Sequence, residues 1–254
     1  MISNNYSFER IEPFKMKIEY SEYTPDKIIE GLEQHIHDEC EIYVNLSGDV
    51  SFMVEDNIYS IQPGSVVITK PYEYHHCIYN SNNPHCHFWI LFSGKGNEGL
   101  FDLFFNREQG KGNLLNFNAK EREELFEICH NLCQEEKDCS IQYANFFRLI
   151  SFLKTKSNNL VEPIKNPENI SAALQYINAH FAEKISVSSV AKALYVSVNT
   201  LERWFEKSLK TTPSNYIKNK RLGCAVKLLS SGESVTDASL KSGFSDCSSF
   251  ITLF

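Results

Sequence analysis

The chain has 254 residues, of which 42% are hydrophobic and 13% aromatic, enough apolar material for one large or two medium packed domains and too much for a disordered chain. No apolar run approaches the roughly 18–20 residues needed to cross a bilayer, and the opening MISNNYSFERIEPF has no apolar signal core, so the expectation is a cytoplasmic protein with no membrane partner. Eight cysteines without a CxxC pair read as reduced thiols, which excludes a disulfide-stapled secreted domain and disfavours a zinc ribbon.

The net charge of −7 is unevenly spread. Residues 1–166 carry 15 basic and 25 acidic side chains (net −10), whereas residues 167–254 carry 10 and 7 (net +3). An acidic front and a mildly basic back predict two parts with different partners, the back being the candidate for a polyanion.

From Tyr6 to Phe92 the apolar period is near two. Ile42, Val44 and Leu46 alternate with Glu41, Tyr43 and Asn45, and turns at Gly48-Asp49, Asp56-Asn57 and Pro63-Gly64 punctuate the pattern. Short strands with regular turns predict a sandwich or barrel. Beyond Asn97 the period becomes helical. Residues 119–136 align Leu125, Ile128, Cys129 and Leu132, and residues 140–154 align Ile141, Ala144, Phe147 and Leu149 to Leu153. The pair predicts a helical hairpin, which either packs on the barrel or joins two subunits. Residues 156–167, polar and with two prolines, read as a linker.

The back part repeats one pattern. A helix over 168–183 carries Ile170, Leu174, Ile177 and Phe181. Val187, Val190, Ala191 and Leu194 then form a short apolar face, Tyr195 and Val196 a turn, and Ser197 an N-cap. The next helix points Leu201, Trp204 and Phe205 inward and leaves Asn199, Thr200, Glu202, Arg203 and Glu206 outside. Two short helices joined by a tight turn, with a polar face on the second, describe a helix-turn-helix. After a long helix from Ser214 to Ser230, Val235 opens a second such unit, Gly243 turns it, Ser245 or Asp246 caps its second helix, and Phe250 and Phe254 stand where Leu201 and Phe205 stand in the first.

Over residues 168–254 the chain resembles the AraC-type transcription regulators. Ser197, Leu201, Arg203, Phe205, Thr212-Pro213, Tyr216, Arg221-Leu222, Ala225, Leu228-Leu229, Gly243-Phe244, Asp246, Ser248 and Phe250 carry the resemblance. It implies two helix-turn-helix units entering successive major-groove segments of promoter DNA about 34 Å apart. It places Asn199, Glu202 and Arg203 at base edges, with Thr200 on the same face, and Cys247, Ser248, Ser249 and Thr252 at the corresponding places of the second unit. Arg221 reads as structural.

Four departures from the family pattern stand out. Glu206 replaces a lysine, which removes a phosphate contact. Thr211 replaces a turn glycine, which implies strain if that site needs positive φ. Ala238-Ser239 replaces a bulkier pair, which weakens packing of the second unit. The sequence stops at Phe254, before the basic segment and last helix of the family, so the second unit is expected to be truncated.

In the front part, His35, His37, Glu41 and Gly48 resemble the first cupin motif, H-x-H-x3-E-x6-G, and Pro71, His76 and Asn80 fit the second with Glu73 in place of its glycine. His35, His37, Glu41 and His76 could hold a divalent metal. The AraC-type resemblance favours a sensor without metal or other cofactor, whose barrel binds a small effector such as a sugar through His35, His37, Glu41, Tyr43, Tyr74 and His76. Tyr72 and Trp89 are further aromatics for stacking or core. His85 and His87 share one strand face and read as solvated or core residues. No phosphate loop or GxSxG elbow is present.

The sequence thus predicts two domains. An all-β cupin-like barrel with a helical hairpin (1–155) senses a ligand and dimerises, and an all-α double helix-turn-helix (168–254) follows the linker. The expected function is a non-enzymatic, ligand-responsive DNA-binding regulator acting as a homodimer. The alternatives are a metal-dependent cupin enzyme using His35, His37, Glu41 and His76, and a ligand-binding dimer that its truncated end leaves unable to bind DNA.

Overall fold

The computed structural model describes residues 6–10, 15–24, 36–94, 99–134, 138–164 and 166–253. They fall into two units, Met1–Ile164 and Lys165–Phe254.

In the first unit the described residues form strands β1 (Tyr6–Arg10), β2 (Met16–Tyr23), β3 (Cys40–Ser47), β4 (Val50–Val54), β5 (Asn57–Ser60), β6 (Val66–Thr69), β7 (His75–Tyr79), β8 (His85–Phe92), β9 (Leu114–Leu115) and β10 (Leu160–Val161). Helices α1 (Asp102–Phe105), α2 (Ala119–Leu132) and α3 (Cys139–Thr155) lie between β8 and β10. The strands make a seven-stranded sheet, ordered β1-β2-β8-β3-β6-β9-β10, and a three-stranded sheet, β5-β4-β7, with antiparallel pairing throughout.

The central strand β3 is buried on both faces from Cys40 to Leu46's neighbour Asn45. Its even residues, Cys40, Ile42 and Val44, join Ile18, Ile68, Phe88, Ile90 and Phe92 in a core closed by Phe101, Leu125, Ile128, Phe146, Leu149 and Leu153 of the helical segment. Its odd residue Tyr43 joins Val67 and Leu114 of the large sheet with Val50, Phe52, Val54 and Tyr59 of the small one. The two sheets therefore face each other, and the polar side of the alternation in β3 lines an interior instead of facing water.

The hairpin forms as expected, with a refined face. Asn118 and Glu121 make a capping box for α2, and Asp138 caps α3. The buried stripe of α3 runs through Gln142, Phe146, Leu149, Ile150 and Leu153, while Ile141 is 45% exposed and Phe147 half-buried. Spacings of four, three and four select Phe146 over its neighbour. The stretch 156–167, expected as a linker, is tied to the first unit as far as Ile164. β10 pairs with β9, and Ile164 N–H donates to Ile58 O at 2.7 Å. Edge-strand backbone pairing of this kind leaves no mark on composition.

The second unit contains α4 (Glu168–His180), α5 (Val187–Ala193), α6 (Val198–Leu209), α7 (Pro213–Ser230), α8 (Val235–Lys241) and α9 (Cys247–Leu253). Ser186, Ser197, Thr212 and Ser234 each accept a backbone N–H at the start of a helix, and Pro213 sits where its missing N–H costs nothing. Leu201, Phe205 and Tyr216 are fully buried, the last two edge to face at 5.7 Å. Trp204, expected inward, is half-buried. Phe250 packs with Phe244 and Ala225, and Phe254 lies outside the described residues.

Two of the sequence departures resolve structurally. The left-handed residue closing α6 is Lys210 (φ 50°), and Thr211 after it is buried, so the backbone cost falls one position earlier than expected. Ala238 and Ser239 are both fully buried. The Ser239 hydroxyl donates to Asp246 O at 3.5 Å, and the Ser242 hydroxyl donates back to Ala238 O at 2.6 Å at the end of the same helix.

Candidate functional site

Strand parity builds the interior of the first unit. β3 contributes Glu41 and Tyr43, β4 Phe52, β7 His75, Cys77 and Tyr79, and β8 His85 and His87. His85 Nδ1 faces Ser47 O at 2.8 Å, and the Tyr43 hydroxyl lies 2.7 Å from His85 Nε2. A carbonyl only accepts, so Nδ1 carries the proton and Nε2 accepts from tyrosine. The His87 ring stacks at 4.8 Å on both Tyr43 and His85. Burial lowers His85 and takes His87 down to about 3, so both rings are neutral at pH 7. Burial also raises Tyr43 well above its usual value and Cys77 to about 12. Around Tyr43, Cys77, His85 and His87 the chamber between the sheets therefore offers uncharged donors, acceptors and ring faces, with the Glu41 carboxylate beside them.

At one end of it three groups converge. His37 Nε2 lies 3.1 Å and His75 Nε2 3.0 Å from the same atom, Glu41 Oε2, and the two rings meet edge to face at 5.1 Å. Each imidazole is held from behind: His37 Nδ1 faces Glu39 O at 3.1 Å, and His75 Nδ1 faces Glu73 O at 2.7 Å. Burial acts to lower the His37 imidazole, but the Glu41 hydrogen bond and charge outweigh it and leave a net rise. Tyr72, at φ 66°, donates its N–H to His37 O at 2.9 Å and ties the segment before β3 to the β6–β7 connection.

Glu73 anchors that connection. Its fully buried carboxylate takes both terminal nitrogens of Arg107, the Gly110 N–H at 2.7 Å, the Lys70 N–H at 2.9 Å and Asn113 Nδ2 at 3.2 Å. The residue that departs from the second cupin motif thus fixes the backbone carbonyl that orients His75.

Of the expected effector residues, the structure brings His37 and Glu41 into contact and places Tyr43 two residues beyond Glu41 on β3, against His85 and His87. It places Tyr74 and His76 on the opposite face of the β7 segment, their rings 5.5 Å apart. His75 supplies the imidazole that reaches Glu41, because the motif counts residues whereas the pleat decides which face they take. His35 lies outside the described residues. Sequence reasoning missed His75, Cys77, Tyr79 and Phe52 and left His85 and His87 as solvated or core residues. Period-two alternation through 75, 77 and 79 was the available signal. Trp89 is half-buried with Lys17 Nζ 4.6 Å above its ring.

In the second unit Asn199, Glu202 and Arg203 are exposed on α6, joined by Glu206 and Lys207. Thr200 is half-buried, and its hydroxyl lies 2.9 Å from that of the cap, Ser197. On α9 Ser248 is exposed and Cys247 half-buried; the side chains of Ser249 and Thr252 lie outside the described residues. Arg221 holds the carbonyls past the end of α4, with Nε donating to Phe181 O at 2.7 Å and a terminal nitrogen to Glu183 O at 2.8 Å.

Two family models match the chain: an AraC-like ligand-binding domain over residues 30–137 and a helix-turn-helix domain over residues 190–254. The HTH-type transcriptional activators RhaS of Enterobacter sp. (strain 638) and Klebsiella pneumoniae (strain 342) are 26% and 27% identical, each over 87% of this chain and 82% of the relative. Among solved structures, ToxT from Vibrio cholerae O395 is 14% identical over 95% of this chain and 92% of its own, with a TM-score of 0.38. The AraC-like transcriptional activator CuxR is 14% identical over 90% and 80%, with a TM-score of 0.37.

Proposed function

The chain belongs to the AraC-type transcription regulators, a ligand-binding domain joined to a helix-turn-helix domain, and from that premise we propose how its parts divide the work. The chamber between the two sheets holds the effector. Its neutral imidazoles, phenols and thiol suit a small hydroxylated molecule such as a sugar, with Tyr43 and His87 offering ring faces. Promoter DNA is read by the exposed faces of α6 and α9. Arg203 pairs with guanine, Asn199 with adenine and Glu202 with cytosine, while Thr200, tied to the Ser197 cap, positions the helix start. Two copies associate through the outer side of α2 and α3, where Ile141 is exposed. Effector binding shifts the population of DNA-competent dimers, and a coupling of about 1–3 kcal/mol makes a useful switch.

The observation that carries this reading is the repetition of one helix-turn-helix geometry, with matching turn hydrogen bonds, behind a sensor chamber. The test is fluorescence anisotropy with DNA flanking the gene against scrambled DNA over a salt series, with and without candidate sugars. Preference for the flanking DNA, a steep salt dependence and a shift on adding one sugar are expected. Equal, weak binding to both DNAs overturns it.

A further inference from the structure

We infer that His37, Glu41 and His75 form a binding site for one divalent transition-metal ion at the end of the sensor chamber. The donor atoms of the three side chains all lie within 4.8 Å of one another. The two nitrogen-to-oxygen separations are 3.1 and 3.0 Å. Metal–ligand bonds of about 2.0–2.2 Å meeting at right to tetrahedral angles place neighbouring donors about 2.8–3.6 Å apart, and both nitrogen-to-oxygen separations fall in that range.

The proton positions agree. Both Nδ1 atoms face backbone carbonyls, which only accept, so both carry hydrogen. Each Nε2 is aimed at Glu41 Oε2, and an ion that displaces the protons held between them meets two imidazole nitrogens and a carboxylate oxygen. Two imidazoles each held from behind by an oxygen acceptor are the outer arrangement that metal-bound histidines take. His75 and Glu41 are 1% and 5% exposed, so these two donors are held in place inside the fold.

Two nitrogens and one carboxylate suit zinc, iron(II), cobalt(II) or nickel(II) and disfavour calcium and magnesium, which take oxygen ligands. Three protein ligands leave a coordination position open for water or an oxygen of a bound molecule. The motif spacing read from sequence selects His35 and His76; the geometry selects His75, and the metal site stands independently of the regulator reading.

The test uses the full chain, freed of any affinity tag and stripped with chelator, and titrates it with cobalt(II). The expected result is one cobalt per chain, visible ligand-field absorption and displacement by zinc, with elemental analysis agreeing. His75→Ala and Glu41→Gln should each weaken binding at least about tenfold. His76→Gln, on the other face of β7, should stay within about threefold of the unaltered chain. Absence of stoichiometric uptake at micromolar metal overturns the site, and so does loss in His76→Gln with retention in His75→Ala. Glu41→Gln keeps the side-chain shape and decides the matter if His75→Ala fails to fold by circular dichroism. DNA anisotropy is a separate readout, so failure of the metal site and failure of the regulator reading are distinguishable.

Discussion

Tyr195 and Gly243 occupy the same position in the two helix-turn-helix units, 48 residues apart, and both lie in the left-handed region, at φ 57° and 90°. The turns around them match bond for bond. Tyr195 N–H donates to Lys192 O and Val196 N–H to Ala191 O; Gly243 N–H donates to Leu240 O and Phe244 N–H to Ser239 O. This is the paired-bond ending of a helix that a left-handed residue makes possible. The residue types differ because the surroundings differ. Tyr195 is 97% exposed, whereas a Cβ at 243 would lie 2.7 Å from Phe181 O and 2.8 Å from Ala182 Cα. Gly243→Ala should therefore destabilise the second unit by about 3 kcal/mol, from φ strain plus backbone overlap. Tyr195→Gly relieves a left-handed side chain but frees the unfolded chain, and the two effects should cancel to within about 0.5 kcal/mol. Denaturant melts followed by helical circular dichroism check the asymmetry; equal effects at both positions would refute the steric account.

Restoring the glycine of the cupin motif should harm the protein. In Glu73→Gly the Arg107 guanidinium, its side chain only 10% exposed, loses a two-pronged carboxylate, and the Gly110 and Lys70 amides lose their acceptor. Breaking a buried pair from one side costs about 3–5 kcal/mol. Thermal unfolding of Glu73→Gly beside Arg107→Met and the double variant gives the coupling. The double variant should be less destabilised than the sum of the two single ones.

The second unit was legible because its signals are local. Serine caps, the 3–4 spacing of Ile170, Leu174 and Ile177, and the repeated turn each lie within a few residues, and the structure places them as read. The sensor chamber was legible only in part. The period-two pattern identified the strands, but which face of a strand looks inward depends on the partner sheet, and a one-residue slip exchanges His75 for His76. Glu73 illustrates the other limit. Its acceptor role depends on Arg107 and Asn113, 34 and 40 residues away, which no local pattern announces. Gln142 in α3 likewise stood hidden as a polar residue on a buried stripe, its amide donating to Gln134 O at 2.9 Å.

Arg203 and Ser197 should separate reading DNA from holding the reading helix. Arg203 is exposed in the middle of α6, so Arg203→Ala should leave the melting curve unchanged and lose about 1–3 kcal/mol of discrimination at one guanine. Ser197 accepts the Thr200 N–H at 3.1 Å, so Ser197→Ala should cost about 1 kcal/mol of stability and weaken binding to all DNA sequences alike. Anisotropy on a set of single-base operator variants distinguishes them: a position-specific loss for Ser197→Ala, or a uniform one for Arg203→Ala, would reverse the assignment.

The buried His87 gives the first unit a directional response to acid. Its imidazole stays neutral in the folded protein down to about pH 3, because burial and the neighbouring His85 oppose its charge. In the unfolded chain it takes up a proton near the ordinary value of 6.5. Between those limits the unfolded state binds the extra proton, so stability rises with pH. Stability is fully present above about pH 7 and is lost as pH falls from there towards 3, at up to about 1.4 kcal/mol per pH unit for this one site. His87→Phe keeps a ring for stacking on Tyr43 and removes the ionisable nitrogens. Thermal midpoints measured from pH 7.5 to 5 should fall less steeply in that variant than in the unaltered chain, whatever its absolute stability. Parallel curves would mean that His87 is protonated in the folded state or reaches water, and would overturn the neutral His85 and His87 rings on which effector binding is argued.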